Sequence, residues 1–391
     1  MYSSKITIEK YDYIDSLRGF AVLGVILTHC GYMVQGLPAF VQNFAIEGSR
    51  GVQLFFIISA FTLFNSYGKR ANKETNGILK FYIRRFFRVA PMFYLAIIYY
   101  LFYSNSFSSV SLKHLLSVVT FTNGWNPQWI NSIVPGGWSV AVEMTFYLVV
   151  PLIFKIVNNI KKAAWAVFIV LIISDIIHWI MLGLNYNNDA DYLNYIFYFL
   201  PNQLPIFMLG IFLYFYLKKS SDYIKISYNL ILTFSVFMMI ALVNGGSIGN
   251  TYNVEWIPHI VLWGIAFMMF AIGMSLIKKS NNFAKNFLKN KYIRFYGKIS
   301  FSAYLVHFTF LQLGVFLMNK IIIIIGYNLA PSFRLLILWI LVSLFTLSVA
   351  SFTHYFIEKP GIKIGNALIE VLDRRKSVEY KNIKKDSDID I

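Results

Sequence analysis

Residues 335–357 read LLILWILVSLFTLSVASFTHYFI, a run without a single Asp, Glu, Lys or Arg. A helix of about 20 mostly apolar residues is long enough to cross the hydrocarbon core of a bilayer. This run therefore predicts a transmembrane helix. Nine other stretches share its length and apolar character, which predicts an all-α, polytopic membrane helix bundle. The ten approximate spans are 19–36, 51–67, 89–107, 136–154, 163–184, 199–217, 226–244, 257–277, 298–319 and 335–357.

The composition of the whole chain agrees with this class. Of its 391 residues, 57% are hydrophobic and only 14% are charged, whereas a soluble chain is apolar in just under half of its residues. The formal net charge is +17, but long apolar runs separate the basic residues, which argues against nucleic acid as a partner. Cys30 is the single cysteine, so a disulfide framework and a multi-cysteine metal site are excluded.

The basic residues predict the orientation of the bundle. With ten spans both termini lie on one side, and that side receives 31 of the 35 Lys and Arg residues. Only Arg50, Lys113, Lys320 and Arg334 fall on the other side. Because cytoplasmic loops carry the excess of Lys and Arg, both termini are predicted to be cytoplasmic.

The chain is predicted to hold one folded domain. Residues 1–365 form the transmembrane domain, and residues 366–391 are a polar tail of mixed charge for which disorder is expected. Residues 108–121 are too short to span and are expected to lie on the surface of the bundle as an amphipathic piece.

Ionisable side chains inside spans are costly and are usually functional or paired. His29 lies eleven residues after Arg18, about 16 Å further along the first helix, which places it near mid-membrane. Glu143 and His307 lie about 10 and 13 Å inside their own spans. Asp175 and His178 share one helical face and are expected to satisfy each other. Each of these residues is also compatible with a purely structural role in tying helices together.

Three arginines open the third span in the run RRFFRVAP, residues 84–91. Arginine binds phosphate with a fork of donors that lysine lacks. Arg85 and Arg88 are three residues apart and project from the same helical face. They are candidates for a phosphate clamp at the cytoplasmic mouth of the bundle, although inside anchors of a membrane helix have the same pattern.

These motifs resemble those of the integral-membrane acyltransferase 3 family, which includes O-antigen and Nod-factor O-acetylases. The resemblance extends over nearly 350 residues and implies the membrane domain alone. Ala60 stands where glycine is common in the family, and Val140 replaces a leucine. The matching segments are YIDSLRGFAVLGVILTH (13–29), FFIISAFTLF (55–64), RFFRVAPMFY (85–94), GGWSVAVEMTFYLVVP (136–151), GKISFSAYLVH (297–307) and HYFIEKP (354–360).

The resemblance implies transfer of an acyl group, most often acetyl from acetyl-coenzyme A, to a hydroxyl of a cell-surface or lipid-linked glycan. The donor is a co-substrate, and no tightly bound cofactor or metal is expected. His29 is predicted to be the general base, because imidazole titrates near working pH. Glu143 is expected to orient it or to bind acceptor hydroxyls, since Asp15 lies about 21 Å away on the same helix.

The remaining site residues carry less specific roles. The predicted donor-phosphate ligands are Arg18, Arg85 and Arg88. The predicted substrate-binding or tunnel-lining residues are Asp15, Trp138, Ser139, Tyr147 and His307. The expected location is the cytoplasmic membrane of a bacterium.

Two other functions are compatible with the same residues. A proton-coupled transporter or flippase for a glycolipid would use His29 and Glu143 as a proton relay. An acyltransferase for another acyl group, such as succinyl, or for a lipid or peptide acceptor would need the same base. The residues do not discriminate the acyl group, the acceptor or the oligomeric state.

Overall fold

A computed structural model describes residues 12–70, 74–105, 109–184, 190–219, 228–245, 257–277, 283–326 and 329–387. Seventeen α-helices follow one another in these ranges. They are α1 (Asp12–Tyr32), α2 (Ala39–Glu47), α3 (Gly51–Arg70), α4 (Gly77–Tyr103), α5 (Leu112–Val119), α6 (Gly137–Ile156), α7 (Ile160–Gly183), α8 (Ala190–Tyr198), α9 (Leu200–Lys219), α10 (Tyr228–Gly245), α11 (Ile257–Leu276), α12 (Phe283–Leu288), α13 (Lys291–Lys298), α14 (Ser300–Val306), α15 (Leu311–Ile325), α16 (Pro331–Thr353) and α17 (Lys359–Ser387).

The helices form the polytopic bundle that the apolar runs predict. Among the described residues, nine helical segments are long and apolar enough to cross a membrane. A tenth, shorter apolar helix over Tyr228–Asn244 corresponds to the predicted span 226–244. Part of the loop sequence that carries the orientation signal, including Lys5 and Lys10, lies outside the described residues.

The first and third spans begin earlier than their apolar runs. Helix α1 begins at Asp12, and the carboxylates of Asp12 and Asp15 lie in its first turn, where the helix dipole favours negative charge. Helix α4 begins at Gly77, so all three arginines of its basic run lie within regular helix. The side chains of Arg85 and Arg88 are therefore positioned by the same rigid element.

Helix α1 lies in the middle of the bundle and carries both Arg18 and His29. Leu17, Val22 and Ile26 are fully buried along it. Its first half packs so closely on α13 that a Cβ at Gly297 would lie 1.6 Å from the carbonyl oxygen of Asp15. This approach requires glycine, and it buries Asp15 and Ser16 of α1 within the protein.

A broken helix follows α1. Helices α2 and α3 are joined by a single 3₁₀ turn, Gly48–Arg50, that packs against α1. The Thr28 hydroxyl of α1 donates a hydrogen bond of 2.7 Å to the carbonyl oxygen of Ala45 at the break. The break thus places Arg50 and Gln53 beside the half of α1 that carries His29.

The last helix takes in most of the C-terminal tail. Disorder is expected for residues 366–391 from their composition, whereas the structure includes them in α17 as far as Ser387. Lys80 of α4 forms an ion pair of 2.5 Å with Asp373, and Ile369 is buried. Contact with α4 supplies the apolar burial that the tail's composition did not indicate. Residues 388–391 lie outside the described part of the chain.

Candidate functional site

Among the cavities in the described part of the bundle, two are lined by residues that the sequence predicts for the site. The first, named here the arginine cavity, is bordered by one arginine of α1 and two of α4. Its polar lining residues are Arg18, Ser59, Thr62, Arg85, Arg88, Ser139, Glu143, Tyr147, Ser300 and Tyr304. Helices α1, α3, α4, α6 and α14 therefore all contribute to one site.

The arginines of α4 face this cavity together, as their spacing predicts. Arg85 lies over the ring of Tyr147, with its guanidinium carbon 5.9 Å from the ring centroid. Its Nη2 donates a hydrogen bond of 3.2 Å to the hydroxyl of Ser66. The Nε of Arg85 is buried and has no hydrogen-bond partner among the described residues. By contrast, Arg84 points away and is paired with Glu74 at 2.6 Å.

Arg88 is held by a carboxylate from the other end of the sequence. Its Nη1 lies 3.2 Å from Oε1 of Glu358, which is fully buried. The Oε2 atom of Glu358 lies 2.9 Å from Nδ1 of His354 and accepts a hydrogen bond of 3.1 Å from Ser302. A π-helical turn over His354–Glu358 brings these groups to the cavity wall. Such turns occur frequently at functional sites.

Glu143, which is predicted to orient His29 or to bind acceptor hydroxyls, belongs to the arginine cavity in this structure. Its Oε1 accepts a hydrogen bond from the hydroxyl of Ser59 and another of 2.6 Å from Tyr147. Both of its neighbours belong to the arginine cavity, whereas His29 lines a different space. The reason is that the α6 face carrying Glu143 and Tyr147 packs towards α3 and α4.

The second cavity, named here the histidine cavity, contains His29. Polar side chains from several helices converge on it. They are Thr28, His29, Tyr32, Ser49, Arg50, Gln53, Asn131, His178, Asn194, Tyr198 and Tyr304. Arg50 is buried and its Nε lies 2.8 Å from Glu47. Trp138 also lines this cavity and stacks on Tyr198, with the ring centroids 4.3 Å apart.

His29 lies beside a second histidine. The ring centroids of His29 and His307 are 5.3 Å apart. Phe308 packs against both imidazoles, at centroid distances of 4.3 Å from His29 and 4.1 Å from His307. His307 itself is fully buried and does not line either cavity as described, so its predicted contact with substrate is not supported by this geometry.

Tyr304 lies between the two cavities and lines both. Its hydroxyl donates a hydrogen bond of 2.9 Å to the carbonyl oxygen of Gly136 and accepts one of 3.0 Å from Ser139. Gly136 has a φ of 76°, and a Cβ there would lie 2.7 Å from the Tyr304 hydroxyl. The start of α6 and the side chain of Tyr304 thus form the wall that the cavities share.

The other predicted residues are divided between these places. Ser139 lines the arginine cavity and Trp138, its neighbour in sequence, lines the histidine cavity. Asp15 is buried where α1 meets α13 and is not among the residues that line the two cavities. His178 lines the histidine cavity, a position that its spacing from Asp175 did not indicate. Among the described residues, no group of three His, Cys, Asp or Glu side chains is arranged to hold a metal ion.

The sequence did not predict four residues of these sites, which are Arg50, Gln53, Ser59 and Glu358. Ser59 and Glu358 belong to family-like motifs, and that membership was the available signal. Arg50 and Gln53 belong to none of those motifs, so the sequence carried no such signal for them.

Comparison with known proteins finds similar sequences over nearly the whole chain. A sequence model of the acyltransferase domain of the acyltransferase 3 family matches residues 11–356. An O-acetyltransferase OatA of Staphylococcus aureus strain MRSA252 is 26% identical over 388 residues, which cover 93% of this chain. A peptidoglycan O-acetyltransferase OatA of Listeria monocytogenes is 31% identical over 153 residues, 35% of this chain and 23% of that protein.

The match covers only part of the length of the Staphylococcus aureus relatives. The chain spans 59% of the length of the Staphylococcus aureus protein, and the same share of its counterpart in strain NCTC 8325, which is 25% identical. No solved structure matches the chain.

Proposed function

Because the chain belongs to the acyltransferase 3 family, we propose that it is a bacterial membrane O-acetyltransferase. It transfers an acyl group, acetyl in the first instance, from cytoplasmic acyl-coenzyme A to a hydroxyl of a cell-surface glycan. The observation that carries this proposal is the meeting of two cavities at Tyr304, one lined by three arginines and the other by His29.

The arginine cavity is the proposed site of the donor's phosphates. Arg18, Arg85 and Arg88 bring three permanent positive charges to one space, and the buried Nε of Arg85 is a donor without a partner among the described residues. Forked, charge-assisted hydrogen bonds are the strongest that proteins offer to phosphate oxygens. The predicted orientation puts this cavity at the cytoplasmic end of the bundle, where coenzyme A is available.

His29 is the proposed general base. A sugar hydroxyl is a poor nucleophile until a base accepts its proton as the oxygen attacks the thioester carbonyl. In this step the new bond forms between that oxygen and the acyl carbon, and the carbon–sulfur bond breaks. The thiolate of coenzyme A leaves and takes up the proton that His29 received. The thioester reaches His29 from the arginine cavity by passing the shared wall at Tyr304.

The histidine cavity is the proposed place of the acceptor. Amide and hydroxyl side chains such as Gln53, Asn131 and Asn194 line it, and groups of this kind bind sugar hydroxyls. The Listeria monocytogenes relative is named for acting on peptidoglycan, which makes peptidoglycan the first acceptor to test.

The test is an assay of the purified protein in lipid vesicles, with labelled acetyl-coenzyme A and peptidoglycan fragments. We expect wild-type protein to label the glycan and His29→Ala to lose at least about 100-fold of that activity, the usual contribution of a general base. His114→Ala is the matched control, because His114 is half-buried outside both cavities and hydrogen-bonds to Ser132.

Two results would contradict the proposal. Full labelling by His29→Ala would remove His29 as the base. Movement of a glycolipid across the vesicle membrane without consumption of acetyl-coenzyme A would favour a flippase instead.

A further inference from the structure

His307 packs beside His29, the proposed base. It begins a 3₁₀ turn, His307–Phe310, that interrupts the regular helix between α14 and α15. Its side chain is fully buried, and its ring centroid is 5.3 Å from that of His29. A polar ring in this position must satisfy two nitrogens within the protein.

One of these nitrogens has a fixed partner. Nδ1 of His307 lies 2.7 Å from the carbonyl oxygen of Tyr304. A carbonyl oxygen only accepts hydrogen bonds, so Nδ1 must carry the hydrogen. In a neutral imidazole the other nitrogen, Nε2, is then an acceptor.

That acceptor is left without a partner. Nε2 of His307 is buried and has no hydrogen-bond partner among the described residues. Buried polar groups are nearly always hydrogen-bonded, and an unsatisfied one in a native structure calls for an explanation such as a catalytic role. The imidazole of His29, which can donate a hydrogen bond, lies beside this ring.

We propose that Nε2 of His307 accepts a hydrogen bond from the N–H of His29 during the reaction. This bond sets the tautomer of His29, so that its other nitrogen faces the histidine cavity as a proton acceptor. His307 is thus a positioning residue that acts through His29, the part that carboxylates play for many catalytic histidines. The proposal rests on the proposed function, because it requires His29 to be the base.

The surroundings of the two rings support this assignment. Glu143, the carboxylate expected to orient His29, is bound by Ser59 and Tyr147 in the arginine cavity. Phe308 packs on both imidazoles and limits the orientations that His29 can take. At a centroid separation of 5.3 Å, a nitrogen of one imidazole can lie within hydrogen-bond distance of a nitrogen of the other.

The experiment tests the roles of the two nitrogens of His307 separately. His307→Asn keeps an amide N–H near the position of Nδ1, so the bond to Tyr304 is retained while the acceptor at Nε2 is lost. His307→Gln keeps a polar acceptor near the position of Nε2 and loses the bond to Tyr304. Each variant is assayed in vesicles with acetyl-coenzyme A and peptidoglycan fragments, and its thermal unfolding is followed in detergent.

We expect His307→Asn to unfold at the wild-type temperature, with kcat lowered about 10- to 100-fold and the KM for acetyl-coenzyme A unchanged, as for other residues that orient a functional histidine. His307→Gln should retain more turnover than His307→Asn. In a His29→Ala background, His307→Asn should cause no further loss. His114→Asn serves as the control for an exchange of histidine by asparagine elsewhere.

Three outcomes overturn the inference. The first is a wild-type kcat for His307→Asn, and the second is a lower turnover for His307→Gln than for a stable His307→Asn. The third is that His307→Asn lowers kcat by the same factor in the His29→Ala background as in wild-type protein. If His29→Ala itself retains wild-type activity, the proposed function fails, and the inference fails with it. If His29→Ala is inactive while His307→Asn is unaffected, only the inference fails.

Discussion

Arg84, Arg85 and Arg88 show how far residue identity alone predicts a role. All three are arginines of one basic run, yet Arg84 pairs with Glu74 while the other two line the arginine cavity. Spacing places Arg85 and Arg88 on one helical face, but Arg84 and Arg88, four residues apart, are also neighbours on the helix, so only the structure separates Arg84 from the other two. Spacing also did not predict that Arg88, which lines this cavity, forms an ion pair with Glu358.

Replacing arginine by lysine tests the phosphate clamp at this scale. Arg85→Lys and Arg88→Lys keep the charge and lose the fork of donors, so we expect the KM for acetyl-coenzyme A to rise about 10-fold, the equivalent of one charge-assisted hydrogen bond. Steady-state kinetics in vesicles measure the change. Arg84→Lys is the matched control, and equal KM values for all three variants would show that these arginines are only membrane anchors.

At the scale of elements, the π-helical turn that follows α16 connects the C-terminal part of the chain to α4 and α14. It places the buried Glu358 between Arg88 of α4 and the hydroxyl of Ser302 in α14. A second ion pair, Lys80–Asp373, joins α4 to α17. In each pair one partner is buried and the other is partly exposed: Glu358 is buried beside Arg88, which is 36% exposed, and Lys80 is buried beside Asp373, which is 48% exposed. The two pairs tie the same helix to the C-terminal segment, which makes them a natural comparison.

Neutralising each pair should affect donor binding differently. Glu358→Gln removes the carboxylate that pairs with the partly exposed Arg88, so we expect a loss of stability of about 1–3 kcal/mol together with a raised KM for the donor. Asp373→Asn leaves the buried Lys80 without its charged partner and should cost a similar amount of stability, with the KM unchanged because neither residue lines the arginine cavity. Unfolding in detergent measures the stability, and donor kinetics measure the KM. An unchanged KM for Glu358→Gln would mean that Glu358 only holds the C-terminal segment in place and does not position Arg88.

At the scale of the whole molecule, orientation decides whether the two cavities lie on the sides that trans-membrane transfer requires. Cys30 is fully buried, so a membrane-impermeant maleimide should leave wild-type protein unlabelled. In intact cells Lys113→Cys should react, because α5 is predicted to face outward. Lys162→Cys should react only after permeabilisation, since α7 begins on the predicted cytoplasmic side. The reverse pattern of labelling would place the arginine cavity outside and exclude cytoplasmic coenzyme A as its ligand.

The sequence by itself determined the class of fold and the helical face shared by Arg85 and Arg88. These depend on the length of apolar runs and on local helical geometry, both of which are written in neighbouring residues. Only the tertiary structure decided that His29 lies beside His307 instead of Glu143, that Tyr304 separates two cavities, and that Glu358 holds Arg88. In a membrane helix that is apolar all round, hydrophobic periodicity does not indicate which face meets which partner. Pairings between residues as distant as Arg88 and Glu358 therefore emerge only when the helices are packed.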